Sequence, residues 1–255
     1  MRRGWVATAE PNTKGVGVRF LSTLIAAILV ATLCLPGPAA TQGAEEPARP
    51  TARILAIGDS LMAWNSLAAR SIPQVVSTIL KEPVESRAVS GAHMIYALPI
   101  TGAMGMRISA QFGKENPDWV IVTGGGNDLW LGCGCSRCQR RMDRMVSPDG
   151  KTGAVPDLMR RIRQTGARVV YVGYLRSPGW TTVIDHCRNE GDAFEARLSV
   201  MARQIEGVWF LSNADLVPYG DTSFHAADGI HPSVKGSTAI GKRVAALIRK
   251  LDRQR

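Results

Sequence analysis

From Thr51 onward the chain alternates apolar runs with amphipathic stretches and shows no internal repeat, the pattern of strand and helix taking turns. Strands joined by helical crossovers run parallel, and a parallel sheet is buried on both faces, so its strands read as near-continuous apolar runs. Such runs predict strands at Arg53 to Ile57, around Val84 to Val89, at Asp118 to Thr123, at Arg168 to Gly173 and at Val208 to Ser212. Helices are expected at Leu61 to Leu80, Met106 to Phe112, Val155 to Thr165 and Asp192 to Ile205, with a last one from about Ser233. In that last helix Ile240, Val244, Leu247, Ile248 and Leu251 share one face and Lys242, Arg243, Arg249 and Lys250 the other, a core-packing stripe. With 255 residues, 45% of them hydrophobic, the chain suits one globular domain with a sizeable core, expected over residues 51–255.

In an open parallel sheet, ligands bind outside the carboxyl ends of the strands, and there the chemically informative residues fall. Ser60 ends "ILAIGDS", Gly91 follows the second apolar run, and the third closes on "VTGGGNDLW". A serine held where a buried strand stops and a helix begins exposes its hydroxyl, although Asp, Ser and Gly are also ordinary cap and turn residues. Asn127 presents an amide donor beside a glycine run that lets backbone approach a ligand. Near the carboxyl end, "HAADGIHPS" separates Asp228 from His231 by two residues, close enough for the carboxylate to fix one imidazole tautomer. His225, Asp228 and His231 also have the spacing of a metal-ligand set.

Taken together, "GDSL" at Gly58 to Leu61, "SGAH" at Ser90 to His93, "GGND" at Gly125 to Asp128 and "DGIH" at Asp228 to His231 resemble the SGNH, or GDSL, hydrolases, with all four blocks in the family order. The resemblance implies a flavodoxin-like three-layer α/β/α sandwich with a five-stranded parallel sheet. It implies Ser60 as nucleophile, His231 as general base and then acid, and Asp228 as the carboxylate that orients it. The oxyanion hole would comprise the N–H groups of Ser60 and Gly91 and the side-chain amide of Asn127. Members often read Gly-Asp in the second block where this chain reads Gly91-Ala92-His93, which makes His93 a candidate substrate contact. Leu129 and Trp130, in "LWLG", would form an apolar wall beside the oxyanion hole.

Other chemistries find no support. There is no GxSxG elbow and no GxGxxG, and in "DGKTG" Met145 stands where a phosphate-binding loop needs its first glycine. The reaction expected of this residue set requires no metal or organic cofactor.

Cys133, Cys135 and Cys138 follow Asn127 closely, and Cys187 is the one other cysteine after the amino-terminal segment. Four cysteines in an exported domain suggest two disulfides in one of three pairings, with Cys133 to Cys135 the least comfortable; a zinc site, with or without His186, is the alternative.

Export is expected from the amino end. A basic stretch precedes the uncharged Phe20–Leu35 segment, and Gly37-Pro38-Ala39 offers a small-residue cleavage site. Residues 1–39 read as an export signal or, alternatively, a single membrane anchor, and residues 40–50 as a Pro/Ala-rich tether, giving a periplasmic, secreted or anchored protein. The formal charge is +10, to which the first forty residues contribute Arg2, Arg3, Lys14 and Arg19 against Glu10. The remaining excess is interleaved with acidic or apolar positions and lacks aromatic partners, which argues against a nucleic-acid partner. The expected substrate is a short acyl ester on an envelope glycan, with a lipid esterase, a thioesterase or a non-catalytic carbohydrate-binding protein on the same fold as alternatives. No oligomeric state is specified.

Overall fold

Five short strands, Ile54–Ile57 (β1), Val84–Ser86 (β2), Trp119–Val122 (β3), Arg168–Val172 (β4) and Val208–Leu211 (β5), form one all-parallel sheet in the order β2-β1-β3-β4-β5. They belong to a computed structural model that describes residues 52–179 and 182–254. The described residues all fall in one compact unit. The expected export signal and tether lie outside the described residues, and no helix among these is long and apolar enough to cross a membrane.

Alternation along the strands sorts the core into two halves. Leu55, Ile57, Val120, Val122, Val169 and Tyr171 point to one face, where they meet Ala154–Gln164 (α6) through Leu158 and Ile162 and Arg188–Gln204 (α7) through Phe194 and Leu198. Ile54, Ala56, Trp119, Ile121, Val170 and Val172 point to the other, against Ile72–Leu80 (α2) and Val234–Asp252 (α8). Both clusters are nearly water-free, and this burial on two faces makes the expected three-layer α/β/α sandwich, flavodoxin-like in strand order.

Several expected elements differ in extent. The helix foreseen over Leu61 to Leu80 is two, Ser60–Ala63 (α1) and α2. Asn65 and Ala69 take left-handed backbone between them, and α2 restarts on a capping box in which Ser71 and Gln74 bond reciprocally. The second strand stops at Ser86, although Arg87 and Val89 still donate backbone bonds to Ala56 and Gly58. In place of a helix at Met106 to Phe112, a turn at Pro99–Thr101 (α3) runs into tight coils at Gly102–Met106 and Ile108–Gln111, bent at Arg107 where it bridges His93. Two further helices, Gly126–Cys133 (α4) and Gln139–Met145 (α5), occupy the cysteine-rich stretch.

Candidate active site

Strand order reverses between β1 and β3, and this switch point is where an open sheet leaves a crevice. Ile57 pairs in register with Val122, so Gly58-Asp59-Ser60 and the Thr123–Asn127 run leave the sheet side by side. The closeness demands glycine. A Cβ on Gly58, whose φ is +150°, would stand 2.7 Å from the Thr123 carbonyl oxygen, and one on Gly126 would stand 2.8 Å from the Tyr174 ring.

Three buried polar side chains hold this junction. Gln111 accepts from the Gly58 N–H at 2.6 Å and donates to the carbonyls of Gly58 and Gly105 at 2.9 and 2.8 Å. Asp59 caps α1 by accepting from the Leu61 N–H at 3.0 Å, and it accepts from the Tyr174 hydroxyl, which itself accepts from the Gly126 N–H at 3.0 Å. Tyr174 thereby ties the Ser60 turn to the Asn127 turn. Asp128, fully buried, accepts from the N–H groups of Met94 and Ile95 at 2.7 and 3.0 Å and from Arg141 at 3.0 Å. Burial pushes the Asp128 carboxyl up, while its N–H donors and Arg141 oppose that shift.

Asn127 stands at the start of α4 and donates one amide N–H to the Ala92 carbonyl at 2.9 Å, which leaves its second N–H for a ligand. The same bond draws the Gly91–Ala92 turn alongside. His231 and Asp228 share a tight loop. The imidazole Nδ1 meets Asp228 Oδ2 at 2.6 Å, while Oδ1 accepts from the N–H groups of Ile230 and His231 at 2.9 and 3.0 Å. Burial alone would raise the Asp228 carboxyl, but these bonds outweigh it and hold the group below the usual carboxylate range.

Ser60, Asn127 and His231 line one cavity of about 140 Å³. Leu61, Leu129, Trp130, Leu175 and Phe194 give it apolar walls, and Ser177, Arg176 and Arg188 bring polar groups to it. Asp228 sits behind His231; Gly91 and His93 do not line the cavity. The His93 backbone is engaged by the Met106 carbonyl and the Ile108 N–H, which holds its ring outside the lining. Ser60 Oγ has no hydrogen-bond partner among the described residues. A serine and its base commonly close up only around substrate.

Two residues beyond the four sequence blocks, Trp64 and Asn65, support the histidine loop. The Trp64 indole stacks on the His231 ring, and Asn65 Nδ2 donates to the Pro232 carbonyl at 3.0 Å and to Ser237 Oγ at 2.8 Å. The signal for Trp64 was its position four residues after Ser60, one helical turn along.

The cysteines pair as Cys133–Cys138 and Cys135–Cys187, and Cys187 lies in the cavity wall. Among the described residues, one group of donors clusters closely enough for a metal, Cys135, His186 and Cys187. Its two sulfurs are bonded to each other, so neither is a thiolate ligand. His225, Asp228 and His231 do not form such a group: their ligand atoms do not all lie close together, and Asp228 is bonded to His231.

Residues 56–239 match the GDSL-like lipase/acylhydrolase family. Among solved structures, a candidate SGNH hydrolase from Slackia heliotrinireducens is 20% identical, with 76% of this chain and 96% of that one covered and a TM-score of 0.54. TesA is 21% identical, with 78% and 98% covered and a TM-score of 0.53. A family two carbohydrate esterase from Clostridium thermocellum, solved with cellohexaose, is 18% identical, with 77% and 63% covered and a TM-score of 0.52. At such identities these likenesses speak to the fold. No curated protein matches the chain. The family match across most of the length, together with the parallel sheet, places the chain in the GDSL-like lipase/acylhydrolase family, as an SGNH-type carboxylic ester hydrolase.

Proposed function

We propose that the protein is an exported serine esterase that removes short acyl groups from envelope glycans, with Ser60 as nucleophile, His231 as general base and Asp228 as its orienting carboxylate. The observation that carries this reading is the 2.6 Å bond from Asp228 to the Nδ1 of a histidine that shares a cavity wall with Ser60 and Asn127. That bond sets the tautomer, so that Nε2 is the free acceptor.

Ser60 Oγ attacks the ester carbonyl as its proton passes to His231 Nε2. The carbonyl oxygen gains the negative charge and is met by the N–H of Ser60 and the second amide N–H of Asn127, with the Gly91 N–H, which stands outside the cavity lining on the turn bonded to Asn127, as the third donor of the proposed hole. Collapse breaks the C–O bond to the alcohol, which leaves with the proton from His231. Water then gives a proton to His231 and attacks the acyl carbon, and the carboxylic acid departs as Ser60 recovers its proton. Asp228, held ionised by its three donors, stabilises the imidazolium in both halves.

The small apolar cavity supports a short acyl group. The glycan half draws on the fold shared with a carbohydrate esterase. Export draws on the uncharged Phe20–Leu35 segment and on two disulfides, which persist in oxidising compartments. A panel of nitrophenyl esters tests the acyl preference: acetate should be turned over faster than octanoate, and the reverse order would turn the reading to a lipid esterase or thioesterase. Acetylated polysaccharide should release acetate. A mature amino terminus between roughly Ala40 and Glu45 would fit a cleaved signal; intact Met1 in a salt-resistant membrane fraction would replace it with an anchor.

A further inference from the structure

The segment that receives the Asn127 amide runs on into a second, open cleft of about 530 Å³, with Met94 and Ile95 in one wall. Arg107 stands in another, and Arg144 and Arg161 in the rest, where Gly153 and Ala154 begin α6. Three arginines thus line the cleft with one acidic residue, Asp157, whose carboxylate is paired at 2.7 Å with Arg160 outside the cleft lining. Arg161 donates to the backbone carbonyls of Ser109 and Phe112, contacts that leave its charge uncompensated. Among the described residues, the guanidinium groups of Arg107 and Arg144 form no hydrogen bond or ion pair. The start of α6 adds N–H groups without a side-chain cap and the positive end of the helix.

Like charges converging on a concavity repel one another, and an anion relieves the repulsion. Planar guanidiniums match the paired oxygens of phosphates and carboxylates. The ester cavity is different in kind, walled by Leu61, Leu129 and Phe194. The two are neighbours: Ala92, which accepts from Asn127, and Met94, in the cleft wall, are two residues apart, a backbone reach of at most about 7 Å. Asp128, next to Asn127, holds the N–H groups of Met94 and Ile95, so the cleft wall and the Asn127 turn are one bonded unit.

We propose that this arginine cleft is an anion subsite that takes a phosphate or carboxylate group, borne either by the alcohol part of the ester substrate or by a free anion. The substrate-borne form rests on the esterase reading; binding itself does not.

Calorimetric titration of the whole protein with inorganic phosphate and with methyl glucuronide, at fixed ionic strength, tests it without using catalysis. Saturable binding of at least one probe at a single site is expected, weakened about tenfold or more in Arg107→Gln/Arg144→Gln and kept in Lys242→Gln/Lys250→Gln. The thermal midpoint of each variant shows that it folds; should the double variant not fold, each single arginine variant is expected to weaken binding about threefold. Absence of saturable binding by both probes, or equal loss in the lysine variant, would overturn the subsite in favour of diffuse surface charge. A second arm separates the two sources. For a substrate-borne anion, the arginine variant loses about tenfold in kcat/KM on an ester carrying a carboxylate in its alcohol and nothing on the neutral amide analogue. For a free anion, both esters are hydrolysed as before while binding of the probe is lost.

Discussion

The indole of Trp64 lies flat on the imidazole of His231, ring centroids 3.8 Å apart and planes 6° from parallel. Because Trp64 closes the short helix that Ser60 opens, its N–H donating to the Ser60 carbonyl at 2.8 Å, the proposed nucleophile's own helix carries the surface against which the proposed base rests. On the catalytic reading, that face both fixes the ring plane and favours the imidazolium that forms during attack. Trp64→Ala should lower kcat about tenfold with KM little changed, and Trp64→Phe should recover most of the loss. Steady-state kinetics on an acetate ester reads both; an unchanged kcat in the alanine variant would reduce the stack to packing.

Asn127 spends one amide hydrogen on Ala92 and, on the catalytic reading, keeps the other for substrate. A donor that engages charge only in the transition state acts on kcat. Asn127→Ala should therefore cut kcat by roughly 10²–10³. A loss seen in KM alone would reassign Asn127 to ground-state binding.

The sheet was legible because its strands are buried on both faces. "ILAI", "WVIV" and "RVVYV" are unbroken apolar runs, and each strand fell within a few residues of where the runs place it. The histidine–carboxylate pair was legible for a local reason: both residues share one tight loop. What escaped depends on contacts between distant parts of the chain. Gln111 grips Gly58 across 53 residues and Tyr174 reaches Asp59 across 115, and neither side chain differs in the sequence from an ordinary polar or core residue. The helix break after Trp64 was half written: Ser71 and Gln74 spell a capping box, but the left-handed turn at Asn65 is anchored by Pro232 and Ser237, far along the chain. The pairing of the four cysteines depends on where α4 delivers Cys135 relative to the start of α7.

Asp59 makes the site pH-dependent in stability. Burial pushes its carboxyl up to about 6, and the bonds from Tyr174 and the Leu61 N–H only partly offset this. Its unfolded value is near 4, so as pH rises from about 4 to 6 the unfolded chain gives up this proton first and the native state loses stability. Asp59→Asn keeps an acceptor for Leu61 and Tyr174 without the buried charge. Urea unfolding should find the variant gaining on the wild type by on the order of 2 kcal/mol between pH 4 and pH 7. A difference that does not change with pH would contradict the assignment.

The two disulfides should contribute unequally. The Cys135–Cys187 bridge closes a separation of 52 residues and Cys133–Cys138 one of 5. Chain-entropy reasoning gives about 4 kcal/mol for the first and about 2 kcal/mol for the second. Urea denaturation of Cys135→Ser/Cys187→Ser and of Cys133→Ser/Cys138→Ser measures the order. The first pair should also impair turnover, since Cys187 belongs to the cavity wall. Stoichiometric zinc in the wild-type protein, with activity lost to chelator, would contradict the disulfide account.

The most direct measurement is covalent labelling with a fluorophosphonate, followed by peptide mass spectrometry to locate the adduct. A serine activated by His231 should carry the phosphonyl group at Ser60 in near-stoichiometric yield, with labelling abolished in Ser60→Ala and strongly slowed in His231→Ala while circular dichroism stays unchanged in both. An adduct on another residue, or equal labelling of the Ser60→Ala protein, would contradict the assignment of Ser60 as nucleophile.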